Sequence, residues 1–162
     1  MDAPAFLDWV EALPLSVAIA ESGWLFPTIE TVHVIAIALV VGSILMVDLR
    51  LVGIGWRDRP VSHLTRELLP WTWIAFTVAI ASGLLMWISS AVRYTDNLPF
   101  LIKLGLILLA GLNMACFHAI TQRTQDQWDH RLPPPRAVKM AGGFSVALWG
   151  AVVVLGRWIG FV

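Results

Sequence analysis

From about residue 24 onward the chain alternates long apolar runs with short polar ones. The apolar runs fall at about 28–49, 69–90, 99–120 and 140–161, and all are of similar length. A bilayer core of about 30 Å takes roughly 20 helical residues to cross. In lipid a helix satisfies its own backbone polar groups, which no open strand can do. The pattern therefore predicts an all-α fold: an integral membrane four-helix bundle, with residues 1–162 forming a single transmembrane domain.

The connecting stretches are RLVGIGWRDRPVSHLTRE, SAVRYTDNL and TQRTQDQWDHRLPPPRAVK. The third is polar, and its triple proline makes it a stiff extended connection rather than a domain. Residues 1–23 carry acids at positions 2, 8, 11 and 21 and no lysine or arginine. They lack the basic start of a signal peptide. Phe6, Trp9, Val10 and Leu13 share a helical face, which predicts a short helix lying in the membrane interface or packed against the bundle.

Composition agrees with this reading. Only 14% of residues are charged and 58% are hydrophobic, with mean hydropathy +0.76, whereas a soluble domain carries about 25% charged residues. The net charge is zero, so no basic surface points to nucleic acid. A lone cysteine, Cys116, rules out an internal disulfide. Trp24, Trp56, Trp71, Trp87, Trp128 and Trp158 stand at or near expected span ends, where interfacial anchors belong.

The cations are unevenly placed. Arg50, Arg57, Arg59 and Arg66 fall in or beside the first connection, and Arg123, Arg131, Arg136 and Lys139 in or beside the third. The second has Arg93, with Lys103 just beyond it, and the C-terminal end has Arg157. The positive-inside rule then places both termini in the periplasm of a bacterial inner membrane and the two basic loops in the cytoplasm.

Polar residues inside spans are costly and usually face a site or cavity. At about 100° per residue, Glu30, His33 and Asp48 lie on one side of the first span. Lys103, Ala110, Met114 and His118 share a face of the third. Thr72, Ala79, Gly83 and Ser90 line the second, and Lys139, Gly143, Val146, Gly150 and Arg157 line the fourth. Small residues also let helices approach closely, which accounts for the glycines without any site.

His33 and His118 differ in depth by roughly 20 Å at 1.5 Å per residue, so they cannot share one metal. A neutral imidazole is a common ligand of haem iron, and a haem between helices also needs cations for its propionates. His33 is the first axial candidate, with Arg93, Lys103 and Arg157 as the cations at its level. His118, paired with His63, is the second, with Arg50 and Arg66 nearby. This arrangement predicts one haem b, or two. His33 bonded to Glu30, a Glu30–Arg157 ion pair and an interfacial His63 are the purely structural readings, and His130 belongs in solvent.

ETVHVIAIALVVGSILMVDLRL, the proline-tryptophan pair before the second span, LPFLIKLGLILLAGLNMACFH and the closing GRWIGF resemble small four-helix bacterial membrane proteins of uncharacterised function. More distantly, residues 24–161 are similar to HemJ, the haem-binding protoporphyrinogen oxidase, and to the membrane part of CopD-like copper proteins. The HemJ resemblance implies His33 and Lys103 as a functional pair. Its Tyr-His would fall near Asn113-Met114, where this chain instead has His118 one turn later.

The expectation is a haem b electron carrier that exchanges electrons with a quinone or a redox-protein partner, alone, as a homo-oligomer or as a subunit of a larger complex. HemJ-like porphyrinogen oxidation is a second reading. Copper handling is a third, since Met46, Met114, Cys116, His118 and Met140 gather in the inner half and soft ligands favour Cu(I). A cofactor-free structural subunit is the fourth. Nothing resembles a nucleophile–base pair, a phosphate loop or a zinc motif.

Overall fold

In the computed structural model, residues 3–121, 128–129 and 133–161 are described. The N-terminal segment holds α1 (Ala3–Glu11) and α2 (Pro14–Glu21), two short helices where the sequence predicts one. They are tied together by Ser16, whose hydroxyl donates to the Val10 carbonyl at 2.7 Å. Four long helices follow, α3 (Leu25–Val52), α4 (Val61–Ile88), α6 (Leu98–Thr121) and α7 (Arg136–Trp158), with a short α5 (Ala91–Thr95) between α4 and α6. A 3₁₀ turn, Ile159–Phe161, ends the described chain. Each long helix is long and apolar enough to cross a membrane. The chain is an all-α, multi-pass, four-helix membrane bundle, as the apolar pattern requires.

Helix ends follow local chemistry. At the end of α3, Gly53 adopts φ +88° and donates its N–H to the carbonyls of Leu49 and Arg50. That left-handed turn is open to glycine at no steric cost. Pro60 stands immediately before α4, a place where its missing N–H is harmless. The second span therefore begins eight residues before the apolar run at 69, and His63 and Arg66 stand on helix rather than in a loop. Pro70 lies inside α4 without ending it; membrane helices tolerate proline where neighbouring groups satisfy the freed backbone.

The packing is not a closed ring. α3 packs on α4 and on α7, and α7 packs on α6, whereas α4 and α6 barely meet. The bundle is thus a C in cross-section with its gap between α4 and α6. α3 and α7 approach closely at Gly142, where an added Cβ would lie 2.9 Å from Leu51 Cβ and 3.0 Å from the Asp48 carbonyl oxygen. The buried stripe of α7 is accordingly Val138, Gly142, Ser145, Leu148 and Val152. The expected stripe through Gly143 and Gly150 is corrected by this contact: both glycines are exposed, with open space around their Cα atoms. The helix has turned by about 100°, one residue, to seat Gly142 on α3.

At the end away from the termini, Leu51, Val61, Trp128 and Val138 form a small apolar core with Val47 and Phe117 against it. Arg50 is fastened above it, only 1% exposed: Nε donates to the Arg59 carbonyl at 2.7 Å and Nη2 to the Asp129 carbonyl at 3.0 Å. The Asp129 carboxylate accepts from the Ser62 N–H at 2.9 Å and from the Ser62 hydroxyl. A residue between α6 and α7 thereby caps the start of α4, satisfying a backbone donor that α4 cannot satisfy itself.

Candidate functional site

Two places in the bundle hold chemistry, one near each end. In the terminal half, the His33 ring leaves α3 and lies against α4. A Cβ on Gly83 would sit 3.1 Å from His33 Cε1, so the absent side chain lets the ring lie closer to α4 than a larger residue would. His33 Nδ1 stands 3.0 Å from Ser82 Oγ. That hydroxyl directs its single proton to the Val78 carbonyl at 2.6 Å. Ser82 therefore accepts and His33 Nδ1 carries the proton; the Ala79 carbonyl also accepts from the ring, and in this neutral tautomer Nε2 keeps its lone pair. Holding one ring nitrogen by a hydrogen bond while the other stays basic is how proteins prepare a histidine to bind a metal.

Lys103, on α6, is near enough to His33 to act on it electrostatically, and its Nζ lies beside Gly156 of α7. The pair that the HemJ resemblance implies is thus brought together. His33 does not bond Glu30, which is exposed. Glu30 and Arg93 both act on Tyr94 of α5; burial pushes the Tyr94 hydroxyl above its ordinary pKa, Arg93 opposes this and Glu30 adds to it. Arg93 and Arg157 are exposed at this end. The Arg157 guanidinium lies over the Phe161 ring at 4.8 Å rather than in an ion pair with Glu30.

The other place is a cavity of about 690 Å³ that fills the inner part of the gap between α4 and α6. Its walls are mainly apolar and aromatic, among them Trp73, Phe76, Phe117, Trp128 and Trp149. Polar residues are few: Ser43, Asp48, Ser62, Thr65, Arg66, Thr72, Asn113, His118 and Ser145. Most of these already have partners. Thr72 donates to Ser43 at 2.8 Å and Ser43 to the Val40 carbonyl; Thr65 donates to the Val61 carbonyl; Ser62 is bound to Asp129; Asn113 donates to the Ala141 carbonyl. His118 Nδ1 is 3.0 Å from the Met114 carbonyl, which can only accept, so His118 likewise keeps its Nε2 lone pair.

Not every expected residue reaches this cavity. His63 does not line it; the ring is exposed, with Nδ1 3.5 Å from Glu67 Oε1, so the structure does not assemble a His63–His118 pair. Arg50 does not line the cavity; its Nε and Nη2 are held by the Arg59 and Asp129 carbonyls and its Nη1 is buried with no partner among the described residues, whereas Arg66 does line it. Of the sulfur residues considered for copper, Met114 lines the cavity, whereas Cys116 is exposed and Met140 is 75% exposed. Among the described residues no three of histidine, cysteine, aspartate and glutamate gather as a metal cluster. His130, Arg123 and Arg131 lie outside the described residues.

Ser82 and Asp129 are the residues that the pattern of the sequence does not single out. Ser82 neighbours Gly83 on the expected small face and could be found by its depth matching that of His33. Asp129 is 67 residues from the Ser62 it caps, and no local signal joins them.

Neither a curated protein nor a solved structure matches the chain. A family model does, over residues 6–162, and the chain belongs to that family, the family of unknown function DUF6644.

Proposed function

We propose that this is a haem b-binding electron carrier of the bacterial inner membrane, with both termini in the periplasm and His33 as the axial ligand. The observation that carries the reading is the His33 hydrogen bond: Ser82 accepts from Nδ1–H, Gly83 leaves room for the ring, and Nε2 keeps a lone pair able to bind a metal. The donor set fits a haem. The imidazole would hold the iron, Lys103 adds a cation at its level, and Arg93 and Arg157 stand exposed at the same end, where propionates meet water. Haem b supplies one-electron chemistry when bound; the chain supplies the ligand, its orientation and the local charge that sets how readily an electron is taken up.

HemJ-like porphyrinogen oxidation is the second reading, favoured by the approach of Lys103 to His33. Copper handling has less to support it, because the sulfur side chains do not converge. The deciding experiment is the pyridine haemochrome of purified protein. Wild type and His63→Ala should carry equal haem, since His63 is exposed and paired with Glu67. His33→Ala should be colourless. Full haem in His33→Ala would sink the proposal, and Lys103→Ala with unchanged spectrum and activity would remove the HemJ-like reading.

A further inference from the structure

We infer that the cavity between α4 and α6 is a binding site for a lipid-borne quinol. Its volume, about 690 Å³, falls within the roughly 300–1,000 Å³ typical of small-molecule sites. The residues around it face sideways as well as inward: Trp73 is 52% and Met114 39% exposed although both line it, and α4 and α6 leave the gap open. A ligand with an apolar tail can therefore enter from the bilayer and leave its tail there.

The class of headgroup follows from counting donors and acceptors. The hydroxyls of Ser43, Ser62, Thr65 and Thr72 and the amide of Asn113 already donate within the protein. What stays open includes two acceptors, the buried Trp128 Nε1–H, which has no partner among the described residues, and one cation. Asp48, 6% exposed, is hydrogen-bonded to Ser145, but its Oδ2 is buried with no partner among the described residues. A buried acceptor left so is costly, and a ligand that donates to it removes the cost. His118 Nε2 is the second acceptor and the Arg66 guanidinium the cation.

A quinol answers this set. It is a flat apolar ring with two hydroxyls, each able to donate to Asp48 or His118 and to accept from Arg66, and aromatic walls suit its faces. A phosphate headgroup has no proton to give to Asp48 Oδ2 or His118 Nε2 and would bring a second negative charge beside Asp48. A haem would leave Asp48 Oδ2 unanswered. The role of the bound quinol as electron donor rests on the haem proposal above; its binding does not.

The test is an anaerobic titration of purified protein, in detergent freed of quinone, with a decyl-chain benzoquinol. The signal is tryptophan fluorescence, since Trp73, Trp128 and Trp149 line the cavity. One quinol per chain should bind saturably. Asp48→Asn, which replaces an acceptor by a donor, and His118→Ala should each weaken binding about tenfold. Ala110→Met, which fills the cavity without touching a polar group, should abolish it. His33→Ala should bind quinol as wild type does, which separates this result from the fate of the haem. Wild-type affinity in all three cavity variants would overturn the inference. So would a haem lost on His118→Ala, or a phospholipid recovered in place of quinol at one per chain.

Discussion

His33 and Gly83 meet so closely that a single methyl group at position 83 would lie 3.1 Å from the imidazole. The glycine fixes where the ring can be, and Ser82 beside it fixes which nitrogen bears the proton. Gly83→Leu should therefore behave like His33→Ala, with haem lost although the ligand is still present. Ser82→Ala should keep the ring in place but lower haem affinity about 10- to 100-fold, the usual cost of losing a partner of a ligating histidine. Haem titration of the refilled apoprotein measures both. Equal affinity in wild type and Ser82→Ala would remove the orienting role.

The two adjacent glycines of α7 make opposite predictions. A side chain at 142 collides with Leu51 and with the Asp48 backbone, neither of which can move aside cheaply, whereas one at 143 meets nothing within 4 Å. Gly142→Leu should cost about 1–3 kcal/mol or more by overpacking and lower the thermal midpoint in detergent by several degrees. Gly143→Leu should leave it unchanged. A reversal of the pair would mean that α7 faces α3 one residue further round.

Asp129 reaches across to Ser62 and caps α4. Asp129→Ala should destabilise the protein by about 1–2 kcal/mol, the usual range for a lost N-cap. It should also speed proteolysis between α6 and α7, because the same segment gives Arg50 its second carbonyl. Limited trypsin digestion with timed sampling reads this directly, and cleavage at the wild-type rate would count against a capping role.

The proposed orientation rests on the cations of the first and third connections. A periplasm-dependent phosphatase fused after Val162 should be active, and a reporter that works only in the cytoplasm should be silent there. The opposite result would exchange the two faces and put the quinol cavity near the periplasm.

The four spans were legible because lipid imposes a length and an apolar content that hardly anything else produces. Depth was legible for the same reason: His33 and His118 stand at opposite ends as their positions require. Face was harder. On α4 the expected and observed stripes share Ala79, but on α7 two neighbouring glycines offer equal small surfaces, and only contact with Leu51 chooses between them. The fate of Arg50 was not legible, and for His63 the sequence left the interfacial reading open beside the ligand reading without naming its partner. Arg50 looks like a free cation until the Arg59 and Asp129 carbonyls come within reach, and His63 is claimed by Glu67 one turn on. Such pairings depend on where loops land, which periodicity does not encode.

Because α4 and α6 barely meet, the proposed ligand would enter the molecule in the plane of the membrane. Supply to the cavity is then a two-dimensional matter. Its occupancy follows the mole fraction of ligand dissolved in the lipid, and the concentration in the surrounding water hardly enters. A half-saturation point measured in micelles will shift with the amount of detergent, and becomes a property of the protein only when expressed per lipid or detergent molecule.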